Sequence, residues 1–246
     1  MHGTRLDLRL ATDGLAPSRT AAQALILAGK VRVDGQTVRK ASFTVQDGAS
    51  VTVEKPPRFV SRGGEKLEGA FAAFPSWDVT GRVCLDVGSS TGGFTDCLLQ
   101  HGALRVMAVD VGTNQLDYRI RTDPRVWVKE NFNARNLAPS DLPEIPSRAV
   151  VDVSFISLRL ILPPMAGVLA PDGEIVSLVK PQFEAGRGLA PGGVVRDEAV
   201  REDAVRGIME FGAGIGLEPL GRTVSPIRGR DGGNVEYLVY WRKTAR

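Results

Sequence analysis

Residues 84–97 read Cys84-Leu85-Asp86-Val87-Gly88-Ser89-Ser90-Thr91-Gly92-Gly93-Phe94-Thr95-Asp96-Cys97. A short apolar run ends at an acid, three glycines follow among small hydroxyl residues, and Phe94 opens a helical pattern. Strand, glycine turn and helix N-terminus together make a crevice in which backbone can approach a nucleoside ligand where a Cβ would clash. Asp86, Gly88, Ser89, Thr91, Gly92, Gly93 and Phe94 are therefore candidate cofactor-binding residues. Asp110 ends a second apolar run, 22 residues past Gly88. That is the spacing at which an acid meets ribose hydroxyls. Asn131 lies after the third apolar run, where a base-reading loop is expected. The Gly-x-x-x-Gly-Gly spacing differs from the Gly-x-Gly-x-x-Gly of dinucleotide enzymes. A hydride-transferring enzyme is therefore the weaker competitor.

Two lysines sit where a cation is costly. Lys180 follows five largely apolar positions, and burying it unpaired would be expensive. Asp152, at the end of the preceding strand pattern, is the candidate partner. Lys66 lies near the start of a helix, where the macrodipole disfavours positive charge.

The elements that must hold these residues follow from patterning. Residues 83–85, 105–110, 125–128, 149–155, 173–181, 217–224 and 234–241 read as seven strands, the last with Glu236 near its start. Ser61 is placed to cap a helix carrying Leu67, Ala70, Phe71 and Phe74. Residues 156–162 begin a helix that Pro163-Pro164 should stop. Residues 186–193 and 228–233 are glycine-rich and are expected to form flexible loops. The last two strands lie close in sequence. The pattern predicts an α/β fold, a Rossmann-like, seven-stranded doubly wound sheet with an antiparallel last strand.

Ahead of it lies a different module. Residues 1–60 carry nine Lys/Arg and five Asp/Glu, net +4, and residues 61–246 carry 22 and 23, net −1. Helices at 5–10 and 18–28, an Asp34-Gly35 hairpin and a strand at 50–54 make a small α+β domain. Arg5, Arg9, Arg19, Lys30, Arg32, Arg39 and Lys40 can line one face, and Arg62 lies beyond the proline linker 55–58. These are candidate contacts to the phosphates of shaped RNA, since aromatic residues for base stacking are scarce. The expected domains are 1–57 and 58–246. No apolar run reaches ~18 residues, so no membrane span is expected. The N-terminus lacks a secretory pattern, and the two cysteines, Cys84 and Cys97, are expected to be reduced packing residues of a cytoplasmic protein. No metal site and no protein partner are inferred.

Three resemblances sharpen this reading. Arg5-Leu6-Asp7, Gly14-Leu15-Ala16-x-Ser18-Arg19 and Ala24-Leu25-Ile26-x-x-Gly29-x-Val31-x-Val33-Asp34-Gly35 resemble a small RNA-binding domain first seen in a small-subunit ribosomal protein. The predicted sheet resembles that of S-adenosylmethionine-dependent methyltransferases. Asp152-Val153-Ser154-Phe155 has no proline pair, unlike base N-methyltransferases, which leaves oxygen as acceptor. Lys66, Asp152, Lys180 and Glu236 resemble the Lys-Asp-Lys-Glu tetrad of FtsJ-related ribose 2′-O-methyltransferases. In that tetrad a lysine acts as general base or stabilises the developing alkoxide. Asp152 would then orient Lys180, and Glu236 would orient Lys66 or the ribose.

The whole chain resembles the TlyA family of ribosomal RNA 2′-O-methyltransferases, also called hemolysins. The carrying residues include Phe59-Val60-Ser61-Arg62-Gly63-Gly64-x-Lys66-Leu67, Lys180-Pro181-Gln182-Phe183-Glu184 and Gly192-Gly193-Val194-Val195-Arg196-Asp197. Thr113-Asn114 departs from the family's bulkier or glycine-containing pair. The resemblance implies S-adenosylmethionine as cofactor, cytidine ribose in 16S and/or 23S ribosomal RNA as acceptor, and ribosomal RNA or subunits as partners. Two rival readings remain: a non-catalytic RNA-binding protein with a degenerate methyltransferase body, and a membrane-lytic protein.

Overall fold

A computed structural model describes residues 3–54, 57–186, 188–229 and 233–244. The expected linker residues Lys55 and Pro56 and the centre of the basic loop, residues 230–232, lie outside the described residues. The chain divides into two compact units, Met1–Pro57 and Arg58–Arg246.

The smaller unit comprises β1 (Gly3–Arg5), α1 (Leu6–Thr12), α2 (Arg19–Leu27), β2 (Val31–Val33), β3 (Gln36–Thr37), β4 (Thr44–Gln46) and β5 (Val51–Val53). Ser18 Oγ accepts from Ala21 N at 3.1 Å, the expected cap, and Gly29 ends α2 at φ +71°. Leu6, Leu10, Ala22, Ile26, Val31 and Val45 form its core. Antiparallel β1 and β4 pair across Thr4 and Val45. Patterning had not indicated this pair, because both strands are three residues long and β1 is wholly exposed. Asp7 is fully buried at the start of α1. It accepts from Arg5, Arg19 and Gln23 side chains at 2.8–3.0 Å, which holds its carboxyl far below the usual range.

The larger unit comprises α3 (Arg62–Ala73), β6 (Val83–Val87), α4 (Gly93–Gln100), β7 (Arg105–Val109), α5 (Tyr118–Arg121), β8 (Val126–Lys129), β9 (Arg148–Val151), α6 (Leu162–Val168), β10 (Glu174–Val179), α7 (Pro181–Glu184), α8 (Glu198–Gly214), β11 (Leu217–Val224) and β12 (Tyr237–Lys243). Its seven strands run in the order β11-β12-β10-β9-β6-β7-β8. β6 to β10 are parallel, and β12 inserts antiparallel between β10 and β11. The inner strands β6, β7, β9, β10 and β12 bury both faces, while the edge strand β11 alternates buried and exposed positions. Leu85, Val87, Val151 and Trp241 pack with Leu162 and Ile208 on one side. Cys84, Val106, Val150 and Tyr240 pack with Leu67 and Leu98 on the other. Trp241 Nε1 donates to Ser177 Oγ at 2.8 Å, so the largest buried side chain leaves no polar atom unpaired.

Three local expectations are corrected. Pro163 and Pro164 begin α6 rather than end a helix, because the first turn needs no intrahelical N–H. Ser61 occupies the N-cap position of α3, but its side chain makes no capping bond. β6 runs two residues further than expected, to Val87, so Asp86 lies within the strand and not at its end.

Candidate active site

The strand order reverses between β6 and β9. This is where ligands settle at the C-terminal ends of strands in an open α/β sheet. β6 ends in the glycine turn, β7 in Asp110, β9 in Asp152 and β10 in Lys180. Gly88, at φ +82°, puts its N–H on Val109 O at 2.8 Å, and Gly92, at φ +93°, caps α4. Both angles suit glycine and strain other residues.

Three cavities meet here. The first, about 500 Å³, is lined by Gly88, Asp110, Gln115, Phe132, Asn133 and Phe155, among others. The second, about 270 Å³, is lined by Gly88, Ser89, Thr91, Gly93, Phe94 and Arg62, together with Lys66, Asp152 and Lys180. The third, about 330 Å³, is lined by Lys66, Lys180, Gln182, Phe183, Asn234 and Glu236, with Ser154 and Phe155. Lys66 and Lys180 thus stand in the walls of both the second and the third.

The four charged residues singled out by type converge. Lys180 Nζ lies 2.6 Å from Asp152 Oδ1 and donates to Ser154 Oγ at 2.8 Å. Lys66 Nζ lies 2.7 Å from Glu236 Oε2 and 3.8 Å from Asp152 Oδ2. Asp152 therefore bridges two lysines, and the cost of seating cations at the head of α3 and the end of β10 is offset by two carboxylates.

The nucleoside-type residues separate into two groups. Asp110 accepts from Ser90 N at 2.7 Å and Gly112 N at 2.6 Å, which fixes its carboxylate in the first cavity's wall. Neighbouring Asn114, in the unusual pair, takes φ +56°, a conformation asparagine tolerates. Asn131 lies beside this cavity without lining it, and Phe132 and Asn133 take the wall. Gly92 lines none of the three cavities, and a Cβ there would meet Leu116 and Ile120. Asp86 also faces none. It is fully buried and accepts from Thr95 Oγ1 at 2.6 Å, tying β6 to α4.

Burial, reinforced by the charges of Asp152 and Asp110, pushes the Asp86 carboxyl up to about 7. The folded protein then holds this proton well above the pH at which the unfolded chain releases it. Its contribution to stability is present below about pH 4 and is lost as pH rises through 7, a total of about 4 kcal/mol. Asp86→Asn is expected to remove that slope. Urea-unfolding midpoints at pH 5 and pH 7.5 check it, and an unchanged slope in the variant would exclude Asp86 as the source.

Sequence reading passed over Ser154, Phe155 and Gln182. Phe155 is 87% exposed and sits at φ +63°, a strained backbone for an aromatic residue, 5.3 Å from the Phe183 ring. Nothing in residue type announces such strain, although all three lie within two or three positions of Asp152 or Lys180.

The basic candidates are placed less uniformly. Arg5 and Arg19 hold Asp7, Arg9 pairs with Asp13 and Lys30 with Glu54, while Arg32 and Lys40 are exposed. Arg39 donates to Leu27 O at 3.4 Å. Arg62 belongs to the larger unit, where it donates to Arg228 O at 2.9 Å and lines the second cavity. Cys84 and Cys97 are buried free thiols, both pushed upward by burial. Glu68, Cys97 and His101 also cluster, with the carboxylate shared between Arg58 and His101. Among the described residues, no helix is long and apolar enough to cross a membrane.

Residues 59–243 match the FtsJ-like methyltransferase model, and residues 4–51 match the S4 domain model. The chain is 46% identical over 241 residues to the 16S/23S rRNA (cytidine-2′-O)-methyltransferase TlyA of Mycobacterium tuberculosis, covering 97% of this chain and 89% of that protein. It is 44% identical to Hemolysin A of Brachyspira hyodysenteriae, covering 96% and 99%. A solved structure of a proposed hemolysin from Streptococcus thermophilus is 42% identical, with a TM-score of 0.75 over 99% of this chain and 90% of that one.

Proposed function

This chain belongs to the FtsJ-like methyltransferase family, and on that premise we propose that it methylates the 2′-oxygen of cytidine ribose in ribosomal RNA, with S-adenosylmethionine as donor. What supports the reading is that Lys66 and Lys180 line both the second and the third cavity, held there by Asp152 and Glu236.

The first and second cavities fit a nucleoside with an amino-acid tail. Asp110 suits ribose hydroxyls, and Gly88 and Gly93 let the cavity walls close up, since a Cβ would lie 2.4 Å from Asp152 O and 2.2 Å from Ser61 Oγ respectively. S-Adenosylmethionine, when bound, supplies a methyl group already activated by its sulfonium. The protein therefore has to position the acceptor and deal with its proton. Bond formation at the 2′-oxygen releases the hydroxyl proton. Lys180 is the group assigned to that hydroxyl, as proton acceptor or as the cation beside the developing alkoxide. Asp152 and Ser154 hold its amine, and Glu236 anchors Lys66 alongside.

Incubation of ribosomal subunits with labelled donor, followed by mapping of ribose methylation, tests the proposal. Label on cytidine 2′-oxygens is expected, and absence of transfer to any subunit or extracted RNA would refute it. The S4 domain supplies RNA affinity in this account. Deletion of residues 1–57 is expected to leave cofactor affinity within about threefold and to lower methylation of subunits by at least about tenfold, as loss of several phosphate contacts would. Methylation at the full-length rate would show that the larger unit alone recognises the RNA.

A further inference from the structure

The chain between β9 and the helical turn at Leu158–Leu160 is anchored at both ends. At the near end Asp152 N donates to Val87 O at 3.0 Å. At the far end two donors converge on one carboxylate of α7. Ser157 Oγ donates to Glu184 Oε2 at 2.6 Å, and Leu158 N donates to Glu184 Oε1 at 2.7 Å. α7 follows directly on Lys180, so Glu184 joins the segment after β10 to the segment after β9. Residues 153–156 span the gap between these anchors. Among them Phe155 holds its left-handed backbone, and such a conformation persists only where the surroundings impose it. Its largely exposed side chain, with the Phe183 ring to one side, imposes little. The constraint therefore comes from the anchors. What the turn presents is Ser154. Its Oγ accepts from Lys180 Nζ at 2.8 Å, and among the lining residues Ser154 alone stands in the walls of all three cavities.

We propose that Glu184 is a positioning residue for methyl transfer, clamping the strained 153–156 turn so that Ser154 sets the amine of Lys180. This rests on the reading of the chain as a 2′-O-methyltransferase that uses Lys180. Glu184 is absent from the walls of the three cavities, so it acts without touching donor or acceptor. Without the clamp, nothing at the far end keeps Phe155 left-handed. Relaxation of that residue moves Ser154, its neighbour, away from Lys180. Asp152 still holds the amine from its own side, 2.6 Å away, so the loss is smaller than removal of Lys180 itself.

The test measures methylation of ribosomal subunits by Glu184→Ala, Ser154→Ala and the double variant, with donor affinity read by calorimetry. Glu184→Ala is expected to lower kcat by about tenfold or more through misplacement of the amine. KM for subunits and donor affinity should stay within about threefold, since binding contacts are untouched. Because Glu184 acts through Ser154, the double variant is expected to be no slower than the slower single variant. Glu184→Gln keeps an acceptor for Leu158 N and an amide that can donate to Ser157 Oγ, and should hold kcat within about threefold of wild type. Wild-type kcat in Glu184→Ala would overturn the assignment, as would losses that multiply in the double variant, the mark of a purely structural residue. Should Glu184→Ala not fold, Glu184→Asp, too short to reach both donors, takes its place in the same cycle and is judged by the same outcomes. Failure of the wild type to methylate any subunit would instead overturn the activity on which the assignment depends.

Discussion

Lys180→Met is expected to lower methyl transfer by about 10²- to 10⁴-fold while leaving S-adenosylmethionine binding within a few-fold. The amine is a single atom group placed by two contacts, Asp152 at 2.6 Å and Ser154 at 2.8 Å, and methionine keeps the volume without either. Removing a cation from the second cavity does not weaken attraction for a cationic donor, so titration calorimetry should still report binding. Among the described residues, the substitution also leaves the Asp152 carboxylate with only Lys66, 3.8 Å away. Breaking one side of a partly buried pair costs up to about 3 kcal/mol. The double variant Lys180→Met, Asp152→Asn is therefore expected to regain much of the lost stability and none of the activity. Because Asp152 belongs to the same charged set, the double variant reads stability alone, and the rate of folded Lys180→Met reads the chemistry. Substantial transfer by folded Lys180→Met would remove Lys180 from the reaction.

How much of this site was legible in the sequence depended on the range of the interaction. The glycine turn, Asp110 and the strand positions of Asp152 and Lys180 are local features, because apolar runs mark buried strands and their ends mark where a site lies. The partner expected for Lys180 was found at 2.6 Å. Lys66 announced only that its place on α3 was unfavourable, and its relief comes from Glu236, 170 positions away. Asp86 was misplaced by two residues of strand length, which moves it from a cavity wall to the interface of β6 and α4. The basic stripe of the first unit was legible as charge, but charge counts cannot show that Arg5 and Arg19 are engaged by a buried Asp7. Phe155 and Gln182 stand in motifs quoted from the sequence, but neither residue type announces chemistry. Their place in the cavity walls follows from the backbone path after β9 and β10.

Gly88→Ala is expected to damage stability and catalysis together, through the strand opposite. The glycine is clamped between strand ends, its N–H on Val109 O and the neighbouring Asp152 N–H on Val87 O at 3.0 Å. A Cβ would lie 2.4 Å from Asp152 O, 3.0 Å from Asp152 C and 3.1 Å from Val153 Cγ1. Backbone cannot rotate aside as a flexible side chain would, so the end of β9 must shift. The left-handed conformation adds about 1 kcal/mol, and the collision about 1–3 kcal/mol more. The part of β9 that moves carries Asp152, the hub of both lysines. A displacement of about 1 Å there is expected to cost about 10²-fold in rate. Gly81→Ala supplies the control, because Gly81 is also left-handed, at φ +66°, but its Cβ would meet nothing within 4 Å. It should lose about 1 kcal/mol and no activity. Unfolding midpoints and methylation rates of the two variants measure the difference directly. Equal behaviour would mean that left-handed strain, and not contact with Asp152, is what glycine relieves at position 88.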